Sequence, residues 1–265
     1  MIRFRRLFLF FTGIFLFQLQ TSFAQDRYEL SLGVDLPLAL SGTSLTGLGI
    51  HFDKKLKPFT KEELARLNAE NIPAFDRWVT KQWSRSAGRA SDHILRASVL
   101  APIVFTLSSG RMRSEWGTVG VAFVETALLS VGLTELAKTT VKRPRPALYN
   151  PDVPLSYKLD NTDVRKSFFS GHVSTTAMSS FFAAKVYADF HPNSDAKTLV
   201  YAGAFAATGS VAVLRMLAGK HFLSDVLVGA LVGGAVGYFV PKLHQKDRFI
   251  DDSDNSFKLT FFLPL

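Results

Sequence analysis

The sequence of 265 residues contains no cysteine. Disulfide bonds, thiolate nucleophiles, zinc–thiolate sites and iron–sulfur clusters are therefore excluded. Acidic residues are also few beside basic ones, with 22 Asp and Glu against 31 Lys and Arg, which gives a formal net charge of +9. This excess fits either anionic lipid headgroups or basic loops on the cytoplasmic face of a membrane. Nucleic acid is disfavoured as a partner, because the basic residues alternate with apolar segments and form no continuous stripe.

The first 24 residues lack acidic side chains altogether. Three arginines precede an apolar run over residues 7–17, and a small-x-small triplet at 22–24 ends the segment. This order of basic, apolar and small residues is typical of a signal peptide. We therefore predict a signal peptide over residues 1–24, cleaved after Ala24, with an uncleaved membrane anchor as the alternative.

Apolar residues account for 47% of the chain. Five later stretches approach the ~20 apolar residues that a membrane-spanning helix needs. They are residues 94–109, 117–137, 172–188, 198–217 and 222–240. Residues 32–50 form a doubtful sixth, either transmembrane or re-entrant, because Asp35 and Pro37 interrupt them. The pattern predicts an all-α membrane bundle of five or six helices.

The division of the chain follows from this pattern. Residues 25–92 form an N-terminal region that includes an amphipathic helix, for which Thr60 and Glu63 supply a capping box. Residues 93–242 contain the five clear spans and are predicted to form the transmembrane core that carries the activity. Residues 243–265 form a C-terminal tail.

Three short polar clusters stand at the ends of predicted spans, and antiparallel packing brings these ends to one side of the bundle. They are Lys138-x6-Arg145-Pro146, Ser170-Gly171-His172 and Arg215-x5-His221-x3-Asp225. Fixed cations and the amide groups at a helix N-terminus are the groups that bind a phosphoryl group. Each cluster alone is explained as a helix cap or an interfacial anchor. Their combination predicts phosphate chemistry.

The two histidines of these clusters are predicted to have opposite roles. His221 and Asp225 are four residues apart, so they share one face of a helix. Asp225 can then accept a hydrogen bond from one ring nitrogen of His221 and leave the other as a nucleophile. His172 is expected to act as the general acid for the leaving oxygen.

Together the clusters resemble the signature of the type 2 phosphatidic acid phosphatase superfamily, which reads K-x6-R-P, P-S-G-H and S-R-x5-H-x3-D. The resemblance covers residues 94–240 and implies the helical bundle that these phosphatases share with vanadium haloperoxidases. It implies His221 as nucleophile, Asp225 as its partner, His172 as acid, and phosphate binding by Lys138, Arg145, Ser170, Gly171 and Arg215. The sequence departs from the signature at Phe169, where the family has Pro, and at Leu214, where it has Ser. These departures concern fine geometry and efficiency, because every charged member is present.

The resemblance also implies the substrate and the reaction. It implies metal-independent hydrolysis, without cofactor, of a phosphate monoester or pyrophosphate of an anionic membrane lipid, through a phosphohistidine. Candidate substrates are phosphatidic acid, phosphatidylglycerol phosphate, undecaprenyl pyrophosphate and lipid A. The expected location is a bacterial-type inner membrane, with the active site on the external face. The alternatives are a periplasmic acid phosphatase acting on soluble esters and a non-catalytic lipid-binding scaffold.

Several other polar residues have weaker interpretations. Glu125 and Glu135 interrupt the second span and are expected to face the bundle rather than lipid. Lys142 and Arg143 are predicted either to attract anionic lipid or to be solvated in their loop. Four histidines match no part of the signature and are expected at the surface or in loops: His51, His93, His191 and His244.

Overall fold

The computed structural model describes residues 26–246. The signal peptide predicted over residues 1–24 and the tail from residue 247 onward lie outside this range. Within it the chain forms ten α-helices, and its β-structure is limited to one isolated bridge between Tyr28 and Gln245. The prediction of an all-α fold is confirmed.

Six of the helices are long and four are short. In chain order they are α1 (Leu32–Asp53), α2 (Lys61–Ala65), α3 (Ala74–Arg77), α4 (Arg85–Ser108), α5 (Gly110–Ser114), α6 (Trp116–Val141), α7 (Leu155–Leu159), α8 (Gly171–Phe190), α9 (Ala196–Leu217) and α10 (Leu223–Leu243). Short 3-10 turns lie at Ala69–Asn71, Trp78–Lys81, Pro146–Leu148 and Thr162–Arg165. The five predicted spans correspond to α4, α6, α8, α9 and α10.

The outer surface of the bundle is apolar, and its interior carries many polar side chains. Helices α4, α6, α9 and α10 are long and apolar enough to cross a membrane. Exposed apolar side chains on these helices include Leu100, Val104, Leu199, Phe205, Leu227 and Leu231. Buried hydroxyl side chains include Ser98, Thr126, Ser174 and Thr208. Because a soluble domain does not expose such extensive apolar surface, this distribution indicates a multi-pass membrane protein.

Helix α8 is the centre of the bundle and packs against α4, α6, α9 and α10. Its close contact with α10 depends on glycines at every fourth position of α10. A Cβ added at Gly229, Gly233 or Gly237 would lie 2.7, 2.1 or 2.3 Å from a main-chain oxygen of α8 or its N-cap. These small residues let the two backbones approach closely, as at many helix interfaces in lipid.

Residues 32–50, for which the sequence left a transmembrane and a re-entrant segment open, lie within helix α1. It is a continuous helix of 22 residues, about 33 Å long at 1.5 Å per residue, and it packs along α6. It starts beside the end of α10, because Asp35 lies next to His244, and it ends beside the loop before α8, where Asp53 pairs with Lys166 at 2.9 Å. Pro37 lies in its second turn, where it removes one main-chain hydrogen bond, and the helix continues beyond it.

The polar segment between α1 and α4 packs against the loop that precedes α8. The predicted capping box starts α2: Glu63 N donates to Thr60 Oγ1 at 3.2 Å, and Thr60 N donates to Glu63 Oε2 at 2.9 Å. Glu63 also accepts a hydrogen bond from Arg165 Nη2. The segment between α1 and α4 thus helps to fix the loop that precedes α8.

Candidate active site

The three predicted clusters meet at one end of the bundle. Helices α6 and α9 end there, with Lys138 in the last turn of α6 and Arg215 near the end of α9. Helices α8 and α10 begin there, with His172 in the first turn of α8 and Asp225 in the first turn of α10. The antiparallel arrangement expected from the sequence therefore brings the clusters together.

Lys138 lies against the first residue of α8. A Cβ added at Gly171 would lie 2.9 Å from Lys138 Nζ and 3.1 Å from Thr134 Cγ2, so a larger residue would displace the ammonium group from the start of α8. Ser170 is the N-cap of α8 and is fully buried; its hydroxyl accepts from Val173 N at 3.5 Å. The ammonium group and the free amides of the first helical turn combine into a site for an anion. Glu135 pairs with Lys138 at 3.2 Å and partly balances its charge.

Arg145 is buried and held from one side by Asp163. Its Nε donates to the Asp163 main-chain oxygen at 2.9 Å, and its Nη2 lies 2.8 Å from Asp163 Oδ2. Burial alone would raise the pKa of Asp163, but the positive charges of Arg145 and Lys166 bring it below its usual value. Asp163 is therefore ionised and fixes the guanidinium group in one orientation.

Arg215 is the least satisfied cation of the group. Its Nη1 lies 3.4 Å from Ser91 Oγ and 3.6 Å from Asp92 Oδ1, both long for hydrogen bonds. Among the residues from 26 to 246, its buried Nε has no hydrogen-bond partner. A buried donor without a partner is costly, and an anionic ligand would supply the missing acceptor.

His172 has a carboxylate partner that its own sequence neighbourhood does not supply. Its Nε2 lies 2.8 Å from Asp92 Oδ1, on α4. An ionised carboxylate only accepts, so Nε2 carries a proton and Nδ1 is left for exchange with a substrate. A carboxylate in this position orients the ring and favours the imidazolium form that a general acid requires, against burial and the positive charge of Arg215, which disfavour it.

His221 is bonded to a main-chain oxygen and not to Asp225. Its Nδ1 lies 2.7 Å from Ser167 O, and a carbonyl only accepts, so Nδ1 carries the proton and Nε2 has the free lone pair. The direct bond to Asp225 expected from the four-residue spacing is not formed. The reason is that α10 begins at Leu223, so His221 lies outside the helix and does not share a face with Asp225.

Asp225 instead organises the loops around His221. It accepts from Ser167 Oγ at 2.6 Å, from Phe222 N at 2.8 Å and from Arg143 Nη1 at 2.5 Å. Arg143 also pairs with the buried Asp76 at 2.8 Å. The interpretation of Arg143 as a lipid-attracting or solvated loop residue is therefore wrong, because its charge is used inside the protein.

The surroundings of His221 favour its neutral form. Burial, followed by the positive charges of Arg145, Arg215 and Lys138, lowers the pKa of His221 well below its usual value. A neutral imidazole keeps the Nε2 lone pair that a nucleophile needs. The same cations would stabilise the negative charge of a phosphoryl group bound next to it.

Lys220 is a further cation of the site that the sequence did not predict. Its Nζ donates to Tyr157 Oη at 2.7 Å and lies over the Trp83 and Tyr157 rings. Burial, then the charges of Arg145 and Arg215, lower the pKa of Lys220 to about 8. Its ammonium group is therefore present at neutral pH and is lost in mildly alkaline solution.

Two cavities reach these groups from different sides. The first, of about 390 Å³, opens beside Arg145, Arg215, Lys220 and Asp92. The second, of about 200 Å³, is lined by residues of α4, α6 and α8. Its lining includes Leu95, Val131, Thr134, Lys138, Gly171, His172 and Thr175. The site is thus reached both from the end of the bundle and from between its helices.

The site also contains three residues that were not predicted from the sequence: Asp92, Ser167 and Lys220. Asp92 and Ser167 act on histidines from other segments of the chain, 80 and 54 positions away. Lys220 immediately precedes His221, and this position in the sequence was the one indication that it could belong to the site. Sequence spacing identified groups that stand at helix ends, but not the partners that only the packing brings to them.

The comparison with protein families matches residues 119–249 to the PAP2 superfamily. This stretch contains all three clusters and four of the five helices that correspond to predicted spans. No curated protein and no solved structure gave a significant match to the chain.

Proposed function

Since the chain belongs to the PAP2 superfamily, whose membership supports phosphatase activity on phosphate esters, we propose that it dephosphorylates an anionic membrane lipid through a phosphohistidine on His221. The observation that carries this proposal is the convergence of two histidines with Lys138, Arg145 and Arg215 at one end of the bundle. Phosphoryl transfer depends mostly on positioning and on stabilisation of charge, and these side chains supply both.

The reaction follows from the state of each histidine. The Nε2 lone pair of His221 attacks phosphorus, the bond from phosphorus to the lipid oxygen breaks, and that oxygen takes a proton from imidazolium His172. Water then attacks the phosphohistidine while neutral His172 takes the proton of that water. The phosphorus–nitrogen bond breaks, and phosphate and His221 are released. Arg145, Arg215 and the first turn of α8 hold the three non-bridging oxygens.

A lipid substrate is supported by the second cavity. It runs from Lys138 and His172 along α6 towards Val131, whose side chain is 40% exposed on the apolar outer surface. Seven residues of helix correspond to about 10 Å. A lipid in the bilayer would place its phosphate among the cations and its apolar part between the helices. A soluble ester has no apolar chain to place between the helices and would need only the first cavity.

We place the site on the external face of a bacterial-type inner membrane, as in proteins of this family. The bridge between Tyr28 and Gln245 puts both ends of the described chain opposite the site. If all six long helices cross the bilayer, an external site requires residue 26 on the cytoplasmic side, whereas a cleaved signal peptide would leave it outside. Because the chain has no cysteine, single cysteines at Ser109 and Asn161 can be labelled in intact cells with a membrane-impermeant maleimide. Labelling at residue 161 alone supports the external site, and labelling at residue 109 alone places it inside.

The activity is tested by phosphate release from the purified full chain in detergent, with a panel of lipid phosphates and EDTA present. We expect release by the wild type and a loss of at least about 10³-fold in kcat for His221→Ala, because the nucleophile is removed. His191→Ala, at the opposite end of the bundle, is the matched control and should retain activity. Thermal unfolding in the same buffer ensures that a loss of folding is not taken for a loss of catalysis.

Phosphate release should pass through an acid-labile, base-stable phosphoprotein that the His221→Ala chain does not form. Equal release by wild type and His221→Ala would overturn the mechanism. No release from any lipid by folded wild-type protein that also fails to bind vanadate would favour a non-catalytic scaffold. Extraction from membranes by carbonate without detergent, with activity on soluble esters only, would favour a soluble-type acid phosphatase.

A further inference from the structure

A second cluster of ionisable side chains lies at the end of the bundle away from the phosphate site. Asp35 on α1, Glu125 on α6 and His244 just after α10 are all buried, with exposed fractions of 6%, 2% and 1%. His244 Nε2 lies 2.9 Å from Glu125 Oε2 and 3.1 Å from Asp35 Oδ1. One ligand atom from each residue falls within 4.8 Å of the other two. We propose that this cluster binds a divalent transition-metal ion, for which Zn²⁺ is the best fit.

The orientation of His244 is that of a metal ligand. Its Nδ1 lies 2.9 Å from the Val240 main-chain oxygen, and a carbonyl only accepts, so Nδ1 carries the proton of the neutral ring. Beside two ionised carboxylates Nε2 carries a proton as well, and a metal ion would displace that proton and take up the Nε2 lone pair between them. Metal-bound histidines commonly donate their second N–H to a carbonyl in this way, which fixes the tautomer and the ring. The expectation that His244 lies at the surface or in a loop is therefore wrong.

The charge balance favours a divalent cation over a proton. Two carboxylates with a neutral imidazole carry −2, which a single divalent ion cancels, whereas cancelling it with protons requires two of them, one on His244 and one on a carboxylate. An uncompensated buried charge is strongly unfavourable. A proton on Nε2 also leaves Asp35 Oδ1 and Glu125 Oε1 without a hydrogen-bond partner among the described residues. A metal ion would satisfy Asp35 Oδ1 and Glu125 together.

The donor atoms of the three side chains indicate which metal ion the cluster would bind. One imidazole nitrogen and two carboxylate groups suit Zn²⁺ and its neighbours among the transition metals, whereas Mg²⁺ and Ca²⁺ prefer oxygen ligands alone. The three residues come from α1, α6 and the segment after α10. An ion bound here would join the first and last helices of the bundle to α6, so its expected role is structural. This role is independent of the proposed phosphatase activity.

The test is metal analysis of the full chain, purified in detergent from cells grown with added zinc and washed free of loosely bound metal. We expect about one zinc ion per chain in the wild type. His244→Ala and the isosteric Glu125→Gln should weaken zinc binding by more than about 100-fold, because even outer-shell changes cost 10–100-fold. His191→Ala at the same end and His221→Ala in the phosphate site are the controls, and both should retain the ion.

A second measurement does not depend on any variant. The Tm of metal-stripped wild-type protein should rise as Zn²⁺ is added, because the ion binds the folded state, and Co²⁺ should produce the visible absorption of a low-symmetry nitrogen–oxygen site. Folded wild-type protein that binds no Zn²⁺, Co²⁺ or Mn²⁺ and shows no rise in Tm would overturn the proposal in favour of a protonated cluster. Undiminished zinc in folded Glu125→Gln and His244→Ala protein would overturn it as well.

Discussion

The imidazole Nδ1 of His221 lies 2.7 Å from the main-chain oxygen of Ser167. A backbone carbonyl therefore fixes the tautomer of the proposed nucleophile, and the role of Asp225 is indirect. Asp225 binds the Ser167 hydroxyl at 2.6 Å and so holds the loop that carries this carbonyl. The proton on Nδ1 does not depend on any single side chain, but the position of the ring depends on the loop.

This relationship predicts that the effects of Ser167→Ala and Asp225→Asn on kcat are not additive. Ser167→Ala removes the bond to Asp225 but keeps the carbonyl, so we expect kcat to fall only about 10-fold, as for other outer-shell partners. Asp225→Asn also weakens the pair with the partly buried Arg143 and should cost more. The double variant should be no slower than Asp225→Asn alone, because both changes act through one loop. A direct Asp225–His221 relay would instead make Ser167→Ala harmless and the two effects independent.

The pairing of His172 with Asp92 predicts a dependence on the leaving group. Without the general acid, His172→Ala should lower kcat/KM for an alkyl phosphate, which reports formation of the phosphohistidine, by about 10²–10⁴-fold. The kcat/KM for p-nitrophenyl phosphate should fall much less, because its leaving oxygen needs no proton. The comparison uses kcat/KM because the second step, in which His172 takes a proton from water, is common to both substrates. Asp92→Asn should show the same selectivity with a smaller loss. Equal losses on both substrates would show that His172 and Asp92 contribute to phosphate binding or folding rather than to proton transfer.

Lys220 predicts the alkaline limit of substrate binding. With a pKa of about 8, its ammonium group is present below that pH and is lost above it, so KM should rise as the pH passes 8. The substrate phosphate does not contribute, because its second ionisation, near about pH 6, is then complete. Lys220→Arg should remove the rise, since arginine stays charged. Lys220→Gln should raise KM about 10-fold at neutral pH, the cost of one charge-assisted hydrogen bond.

Lys81, which is exposed at the same end of the bundle, supplies the control for this measurement. It lies outside the cavity beside Lys220, and Lys81→Gln should leave the pH profile of KM unchanged. A rise in KM near pH 8 that persists in Lys220→Arg would assign the titration to another group.

The packing of α10 predicts that substitutions at two neighbouring glycines differ sharply in their effect on stability. A Cβ at Gly233 would lie 2.1 Å from Ser174 O on α8, whereas one at Gly234 would meet Phe181 Cδ2 at an ordinary 3.6 Å. Gly233→Ala should therefore cost about 3 kcal/mol or more through overpacking. Gly234→Ala should be neutral or slightly stabilising. Both changes add the same methyl group to the same helix, so a difference in Tm isolates the packing. Equal Tm values would contradict the close contact of α8 and α10.

The sequence predicted most of the fold because its signals are local. Apolar runs of helical length predicted five of the six long helices, and the cations predicted at helix ends do lie together at one end of the bundle. Residues 32–50 were ambiguous because Pro37 and many small residues reduce their hydropathy. Packing against α6 nevertheless makes them a full-length helix.

The parts that the sequence could not predict depend on contacts between distant segments. Asp92 and His172 come from different helices, and so do the members of the buried Asp35–Glu125–His244 cluster. The four-residue spacing of His221 and Asp225 was misleading, because the helix begins only after His221. Glu125 faces the bundle as expected, but its partners lie at the two ends of the described chain.

The second cavity predicts that a lipid and a small soluble ester reach the site by different routes. Val131 lines this cavity on α6, where α4 makes few contacts with α6. Tryptophan at this position would fill the gap between the helices through which the lipid chain is proposed to pass. Val131→Trp should therefore lower kcat/KM for a long-chain phosphatidic acid by more than about 10-fold, or more than about 1.4 kcal/mol of transition-state stabilisation. p-Nitrophenyl phosphate enters from the end of the bundle beside Arg215 and should be hydrolysed at nearly the wild-type rate.

The matched control is Val213→Trp on α9. Val213 is 50% exposed on the same apolar surface, and it lines neither cavity. Val213→Trp adds the same bulk towards lipid without approaching the substrate, so hydrolysis of both the lipid and p-nitrophenyl phosphate should be retained. Equal losses on both substrates for Val131→Trp would show a general distortion of α6, and no loss on either would show that lipid enters elsewhere. Only a loss confined to the lipid distinguishes an enzyme that takes its substrate from the bilayer from one that takes it from water.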